Sequence, residues 1–402
     1  MTVTFLHTGD EHIDSDVHGT INPRTGRNTA WESNYATIRH LAEAAVERGV
    51  DAFISAGDEF KTGRPSQEAL LMLADAYTPL AEAGIPVLLL DGNHNRIGVT
   101  AGHRSAIWAL AEILRARGGV AVASANPELV TVGPIQVATL PWLNRNAVPG
   151  ASELAPAEGD RLVAAHALAE LTRLAESADP SMPLIMAGHV TVASRTVASD
   201  SSPAGAGDSS GTRRGSEKEL THLFSEPILD VTALEALPFA YGALGHIHTP
   251  QTVGAGAYRY AGSPNRLTFT DEPDTKGGNL VTLDDGLHIE QVQTPARIMQ
   301  TIDLADDGFV VTEGALVRVI LEPGEVELAA TTRQAIQRAG GHIVNTKARP
   351  VAKTQTERPV LTQTVSGEDA LRTWAKNYSL LDADTLVTAA ANLAVRQSEV
   401  VR

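Results

Sequence analysis

Five apolar stretches of the chain each end in glycine, and a side chain that can bind a metal ion follows that glycine. The stretches read HTGDEH, SAGDEF, LDGNHN, MAGHV and ALGHIH. Glycine lets the backbone turn sharply, so the next side chain projects beyond the end of the apolar run. Carboxylate, imidazole and amide groups suit Mn²⁺, Fe²⁺ or Zn²⁺. The candidate residues are Asp10, His12, Asp58, Asn93, His94, His189, His246 and His248.

Each stretch alone is a weak signal, because a single histidine after a strand is more often a hydrogen-bonded turn residue. Five in succession, each after an apolar run, favour one shared site. In an α/β sheet the loops at the carboxyl ends of the strands open onto one crevice. The chain has no cysteine, so we expect a metal centre with nitrogen and oxygen ligands only.

The segments between these stretches alternate between strand and helix patterns. Helical spacing of apolar residues covers residues 31–48, 66–84, 100–117 and 157–177. This alternation predicts helices packed against a sheet. Between residues 120 and 140 the strands are shorter and alternate in polarity, which indicates a sheet that becomes antiparallel.

The chain has 402 residues, which is too long for one ordinary domain. Residues 1–295 hold the five stretches and predict the first domain. The pattern restarts as a small α+β capping domain over residues 296–365, and amphipathic helices follow over residues 366–402. Residues 199–219 are rich in glycine and serine, which predicts a flexible surface loop.

Composition excludes several classes of protein. A net charge of −16 argues against a protein that coats nucleic acid, although a nuclease with a local basic cleft remains compatible with it. There is no run of about 18 or more apolar residues, so we expect no membrane span. The first residues lack the pattern of a secretory signal, and the lack of cysteine fits a cytoplasmic protein.

The five stretches in this order resemble the calcineurin-like metallophosphoesterase superfamily, whose motifs read D-x-H, G-D, G-N-H, G-H and G-H-x-H. The segment GALGHIHTPQTVGAGAYRYAGSPNRLTFTDEPDTKGGNLVTL is similar to the SbcD branch, the bacterial and phage nuclease subunits of double-strand-break repair complexes. The resemblance is strong over residues 1–295, covers the next segment in outline, and hardly reaches the last helices. It implies a β-sandwich flanked by helices, with a small α+β cap domain and C-terminal helices.

The resemblance also implies two divalent cations, Mn²⁺ in the first place, with Mg²⁺, Fe²⁺ or Zn²⁺ as alternatives. Such a pair, roughly 3.5–4 Å apart, activates water for in-line attack on phosphorus. His94 would lie beside the phosphate and stabilise the transition state or protonate the leaving oxygen. One cation would take Asp10, His12, Asp58 and His248, and the other would take Asp58, Asn93, His189 and His246.

Asn95 departs from the family pattern, which usually reads G-N-H-D or G-N-H-E. We expect its amide oxygen to accept a hydrogen bond from the His94 ring, without the charge that favours the imidazolium. This predicts a lower His94 pKa and a rate loss of about 10- to 100-fold, or up to about 10⁴-fold. Asp14, Asp16 or Asp91 could substitute, and the alternative is that Asn95 is an ordinary turn residue.

Basic side chains crowd the loops expected around the metals, which is notable in an acidic chain. We interpret them as a rim that meets the DNA backbone. The alternative is that they are ordinary solvated loop charges. These residues are Arg24, Arg27, Lys61, Arg64, Arg96 and Arg104.

The leading hypothesis from the sequence is a Mn²⁺-dependent DNA nuclease subunit with 3′–5′ exonuclease or endonuclease activity. It would work with an SbcC-type, SMC-like ATPase in double-strand-break processing or recombination, and relatives of this type form homodimers. Residues 367–402 would either dock the ATPase or pack on their own small domain. The rival hypotheses are a general phosphoesterase for small diesters or monoesters and a weakly catalytic subunit that tethers DNA.

Overall fold

The computed structural model describes residues 2–95, 105–193, 226–306, 308–322, 325 and 327–349. The strands within this part are β1 (Val3–Thr8), β2 (Ala52–Ser55), β3 (Val87–Leu90), β4 (Ala121–Ser124), β5 (Glu128–Val132), β6 (Ile135–Leu140), β7 (Leu184–His189), β8 (Thr191–Ala193), β9 (Ile228–Asp230), β10 (Gly242–Gly245), β11 (Gln251–Val253), β12 (Tyr258–Tyr260), β13 (Gly277–Leu283), β14 (Leu287–Gln293), β15 (Met299–Asp303), β16 (Leu316–Ile320) and β17 (His342–Lys347). The helices are α1 (Thr29–Glu47), α2 (Gln67–Ala76), α3 (Thr78–Glu82), α4 (Ala106–Ala116), α5 (Pro156–Glu176), α6 (Val231–Glu235) and α7 (Ala330–Arg338).

Two six-stranded sheets dominate the described residues. The first has the order β14-β13-β1-β2-β3-β4, in which β1 to β4 are parallel and β13 and β14 are antiparallel to their neighbours. The second has the order β11-β12-β10-β7-β6-β5, in which β12, β10, β7 and β6 are parallel and the outer strands are antiparallel. Each sheet therefore sends the carboxyl ends of its central strands to one edge.

The two sheets pack face to face and carry helices on their outer faces. Successive strand residues point to opposite faces, so Phe5 lies between the sheets while Leu6 packs under the helices. Helices α1 to α4 cover the first sheet, and α5 and α6 cover the second. These four layers confirm the predicted fold class, a β-sandwich flanked by helices.

A third, smaller sheet follows the sandwich in the chain. Strands β15, β16 and β17 are parallel in that order, and α7 buries Ile336 with Val317 and Val319. Helix α7 supplies the helical part of this segment. The domain boundaries after residues 295 and 365 stay predictions, and the second of them lies outside the described residues.

The helix predicted over residues 66–84 is wrong in one respect, because the structure divides it into α2 and α3. Ser66 caps α2, and its hydroxyl accepts a hydrogen bond from Ala69 N at 3.1 Å. Pro79 lies in the first turn of α3, where it lacks the N–H that would continue the preceding helix. The loop predicted at residues 199–219 and the helices predicted over residues 366–402 lie outside the described residues. No helix in the described ranges has both the length and the apolar character needed to cross a membrane.

Candidate metal centre

The predicted ligands gather where the carboxyl ends of both sheets meet. Asp10 follows β1, Asp58 follows β2 and Asn93 follows β3, while His189 ends β7 and His246 follows β10. The loops after β1 and β2 run side by side, because Asp10 N donates to Gly57 O at 2.8 Å and His12 N donates to Asp58 O at 3.0 Å. The parallel order of the strands thus brings residues that are distant in sequence to one edge.

Four of the predicted ligands adopt left-handed backbone conformations that non-glycine residues rarely occupy. The φ angles are 55° at Asp10, 39° at His12, 59° at Asp58 and 91° at His246. Each such residue costs on the order of 1–3 kcal/mol, and such strain concentrates at functional sites. The surrounding hydrogen bonds therefore hold the backbone in conformations that aim these side chains at a common space.

The glycines of the motifs allow this close approach. Gly57 has a φ of +101°, and a Cβ there would lie 2.5 Å from His189 Nδ1. A Cβ at Gly92 would lie 2.1 Å from Asp58 Oδ1. A side chain at either position would displace one of the predicted ligands, which explains why glycine precedes them.

A first group of ligand atoms consists of Asp10, His12 and His248. Their candidate atoms all lie within 4.8 Å of one another, and the Nε2 atoms of His12 and His248 are 3.2 Å apart. Asp58 adjoins this group, since its Oδ2 is 3.9 Å from His12 Nε2. All four side chains are almost completely buried.

A second group lies on the other side of Asp58. Asp10, Asp58 and His189 also have candidate atoms within 4.8 Å of one another. Asn93 Oδ1 is 2.9 Å from His189 Nε2 and 3.0 Å from His246 Nδ1. Asp58 therefore touches both groups, which is the place that the family resemblance gives to the bridging carboxylate.

The hydrogen bonds and charges favour a cation between these groups. His189 Nδ1 donates to Ala56 O at 2.8 Å, so its Nε2 faces Asp58 and Asn93. Burial lowers the pKa of His189, but the charge of Asp58 outweighs it and raises that pKa to about 9. Burial also opposes ionisation of Asp58, yet the nearby histidines hold its pKa below the ordinary range. The same negative field that retains a proton would attract a metal ion.

The donor set fits the predicted divalent cations. Within the part of the chain that the structure describes, Asp58 Oδ2 is buried and accepts no hydrogen bond of good geometry, while His189 Nε2 lies 3.2 Å from it. Imidazole nitrogen with carboxylate and amide oxygen is the set that Mn²⁺, Fe²⁺ and Zn²⁺ accept. The residues present can therefore hold the metals that the resemblance implies.

His94 lies at the rim of the two groups. Its backbone N donates to Asp58 Oδ1 at 2.9 Å, and its ring Nδ1 donates to Lys61 O at 2.9 Å. Its ring packs edge-on against that of His12, with centroids 4.9 Å apart. His94 also forms a close triplet with His12 and Asp58, so distance alone would permit it as a ligand.

The expected hydrogen bond from the His94 ring to Asn95 is wrong. Asn95 is buried, its Nδ2 donates to Glu59 Oε2, and its Oδ1 accepts from Phe60 N at 3.4 Å. The Lys61 carbonyl, a backbone group, is the acceptor for His94 Nδ1 instead. The physical reason is that the buried Glu59 carboxylate needs a donor, and the Asn95 amide supplies one.

Two buried glutamates behind the ligands were missed from the sequence. Glu11 and Glu59 share Ser55 Oγ, which lies 2.9 Å from each of them, and Tyr77 OH donates to Glu11 Oε1 at 2.9 Å. Burial raises the pKa of Glu11 to about 7, and burial with the Glu11 charge raises that of Glu59 well above its usual value. The repeated D-E pair in HTGDEH and SAGDEF was the available signal.

The described basic residues of the predicted DNA rim are all exposed. Arg27 Nε pairs with Glu68 Oε1 at 3.0 Å, and Lys61 Nζ pairs with Asp16 Oδ1 at 2.6 Å. Asp14 accepts from Lys61 N at 2.6 Å, so both candidate substitutes for an acidic partner of His94 in this loop contact Lys61. The described rim residues are Arg24, Arg27, Lys61 and Arg64, while Arg96 and Arg104 lie outside the described residues.

Comparison with known proteins agrees with the fold. Residues 3–146 match the family described as calcineurin-like phosphoesterase. Within residues 3–146 the chain is therefore similar to calcineurin-like phosphoesterases, which supports the class of enzyme that the sequence predicts.

Among individual proteins, the chain is similar to the SbcD component of the nuclease SbcCD from Escherichia coli strain K12. They are 27% identical over 292 residues, which cover 70% of this chain and 65% of that protein. The SbcD component from Rhodobacter capsulatus is 27% identical over 311 residues, 73% of this chain and 69% of that protein. An uncharacterized metallophosphoesterase, YhaO of Bacillus subtilis, is 37% identical over 97 residues, 24% of each chain. The chain thus matches between a quarter and about two thirds of these relatives' lengths, and the similarity confirms the SbcD-type resemblance.

Proposed function

We propose that this protein is a metal-dependent phosphodiesterase of the SbcD type that cleaves DNA, with Mn²⁺ as the preferred cation. One observation carries the proposal: two groups of ligand atoms adjoin the buried Asp58 where the carboxyl ends of the two sheets meet. The domain that positions them is similar to the SbcD component of a nuclease over 292 residues.

The residues of this centre would divide into two ligand sets. When bound, the two cations would activate water and neutralise the charge that develops on the phosphate oxygens. The buried backbone of the loops after β1 and β2 holds the ligands rigidly, so little reorganisation is needed when the substrate binds. The first set is Asp10, His12, Asp58 and His248, and the second is Asp58, Asn93, His189 and His246.

His94 would act on the phosphate and its leaving oxygen. Because its Nδ1 donates to Lys61 O, proton exchange with the substrate falls to Nε2. The hydrogen bond from His94 N to Asp58 Oδ1 ties the backbone of this residue to the ligand that both groups share. Asn95 supports the loop through Glu59 and not through the His94 ring.

The SbcD-type similarity supports a partner as well as a substrate. We propose an SbcC-type, SMC-like ATPase as the partner, a homodimer as the assembly, and residues 366–402 as the segment that docks the ATPase. The exposed basic residues Arg24, Arg27 and Arg64 would contact the DNA backbone around the metal centre.

A nuclease assay with Mn²⁺ tests the proposal. Linear duplex and hairpin DNA are compared with bis-p-nitrophenyl phosphate, with and without the SbcC-type ATPase and ATP. Cleavage of DNA that requires Mn²⁺ and is lost in His94→Ala supports the proposal. Hydrolysis of the small diester without any DNA cleavage would favour the second candidate, a general phosphoesterase.

A further inference from the structure

A carboxylate reaches His246 from the side of the ring opposite Asn93. Glu226 Oε2 lies 3.2 Å from His246 Nε2, while Asn93 Oδ1 lies 3.0 Å from His246 Nδ1. The His246 side chain is 3% exposed and that of Glu226 is 11% exposed. The two nitrogens of this ring therefore face different oxygen groups in a largely dry environment.

The position of Glu226 is fixed by the short strands β8 and β9. Thr191 Oγ1 donates to Glu226 Oε1 at 2.8 Å, and Thr191 pairs with Ile228 in the parallel ladder between the two strands. Tyr260 holds β8 in turn, since its hydroxyl accepts from Val192 N and donates to Val190 O, each at 2.8 Å. Each carboxylate oxygen of Glu226 thus has its own partner, and the carboxylate is held by the fold.

Trp142 limits the motion of the His246 ring from a third side. The ring centroids of Trp142 and His246 are 4.8 Å apart with an interplanar angle of 41°. Trp142 N donates to Asp91 O at 3.0 Å, which ties this residue to the end of β3. His246 is therefore contacted at both ring nitrogens and on one ring face.

We infer that Glu226 is a positioning residue of the metal centre, which accepts the Nε2–H of His246 and directs Nδ1 toward Asn93. The inference rests on the proposed metal centre. A neutral imidazole has one N–H, and the group that accepts from it decides which nitrogen keeps a lone pair for a metal. A carboxylate in this place also makes the imidazole a stronger ligand.

Binding of Mn²⁺ alone to the full chain tests this assignment without any substrate. The variants are Glu226→Ala and Glu226→Gln, and the readouts are calorimetric titration and the electron paramagnetic resonance spectrum of bound Mn²⁺. We expect Glu226→Ala to lower the affinity for one of the two Mn²⁺ ions by about 10- to 100-fold and to leave the affinity for the other unchanged. Glu226→Gln should lie between, because an amide oxygen still accepts the hydrogen bond but carries no charge.

Glu290→Ala is the matched control. Glu290 is an exposed carboxylate that pairs with Arg48 at 2.7 Å, and its alanine variant should bind both cations as the wild type does. Unchanged affinity for both cations in Glu226→Ala would overturn the inference. An equal loss of affinity for both cations in the two Glu226 variants would also overturn the inference, because that result indicates a general structural role.

The inference and the proposed function fail in different ways. A wild-type chain that binds no Mn²⁺ contradicts the metal centre and the role of Glu226 together. A wild-type chain that binds two Mn²⁺ ions but cleaves no DNA contradicts the proposed substrate. In that case the selective loss of one cation in Glu226→Ala would still support the positioning role.

Discussion

Asn95 donates its side-chain amide to the buried side chain of Glu59, whereas the neighbouring His94 ring donates from Nδ1 to Lys61 O. Glu59 in turn shares the Ser55 hydroxyl with Glu11. An acidic residue at position 95 would face two carboxyl groups that are already close together and buried. The amide at this position therefore complements the two glutamates.

Asn95→Asp should destabilise the protein and should not accelerate hydrolysis. The change removes the donor to Glu59 and adds a third carboxyl group, and a buried polar group left without its partner costs about 1–3 kcal/mol. The loss should be larger above pH 7 than below it, because burial raises the pKa of Glu11 to about 7 and Glu11 therefore becomes charged there. Urea denaturation of both proteins at pH 5.5 and pH 8 measures this loss in the free energy of unfolding.

The double variant Asn95→Asp with Glu59→Gln is the control for this prediction. It restores one amide and one carboxyl group in exchanged positions, so most of the lost stability should return. A stable Asn95→Asp protein with a faster Mn²⁺-dependent rate would show instead that residue 95 acts on His94.

Gly92→Ala should weaken metal binding and also strain the fold, because the new Cβ would meet the backbone N of Asp58 at 2.6 Å. The new Cβ would lie 2.1 Å from Asp58 Oδ1, so the carboxylate that adjoins both ligand groups must move. We expect a loss of about 10- to 100-fold or more in Mn²⁺ affinity, comparable to the removal of a group that orients a ligand. Calorimetric titration and circular dichroism separate the two effects.

Gly286→Ala serves as its comparison. A Cβ there meets His288 Nε2 at 3.6 Å, an ordinary van der Waals contact on an exposed hairpin. Its Mn²⁺ affinity should equal that of the wild type. Equal affinity in Gly92→Ala as well would mean that Asp58 is not held as tightly as its surroundings indicate.

His7 should make the protein less stable as the pH falls. Burial lowers its pKa from 6.5 to about 3, and its Nδ1 lies 2.9 Å from Tyr241 OH. Between these values the unfolded chain binds a proton that the folded chain does not, so the free energy of unfolding falls as the pH decreases. The contribution is about 2 kcal/mol by pH 5.

Urea denaturation at pH 7 and pH 5 measures that contribution as a difference between variants. His7→Gln should lose less stability than the wild type between the two pH values, whatever its stability at pH 7. His288→Gln changes an exposed histidine and should keep the wild-type difference. If His7→Gln lost as much stability between pH 7 and pH 5 as the wild type does, the prediction that the buried His7 ring stays neutral would be wrong.

The triple variant Arg24→Ala, Arg27→Ala and Arg64→Ala should bind DNA with a weaker dependence on salt. Each phosphate contact that is lost reduces the slope of log K against log salt by about 0.9. Fluorescence anisotropy of a labelled duplex over a range of salt concentrations gives the slope. Arg48→Ala is the control. Arg48 follows α1 and precedes β2, at the end of the first sheet opposite the metal centre, and it pairs with Glu290. An unchanged slope in the triple variant would remove these residues from the interface.

The placement of the candidate ligands after the ends of strands followed from local pattern. Apolar runs ending in glycine placed Asp10, Asp58 and Asn93 after successive strands, because parallel strands bring their carboxyl ends to one edge. The family resemblance then assigned each ligand to a cation.

Tertiary structure alone decided what those ligands contact beyond one another. Glu226 reaches His246 only because β8 and β9 pair and set Thr191 beside it. Asn95 donates to Glu59 because that buried side chain requires a hydrogen-bond donor. The Lys61 carbonyl accepts the hydrogen bond from the His94 ring. The periodicity and spacing of residues in the sequence specify which side chains lie at the ends of strands. The hydrogen-bond partner of a buried polar group depends on which elements pack around it, and that is set by the whole fold.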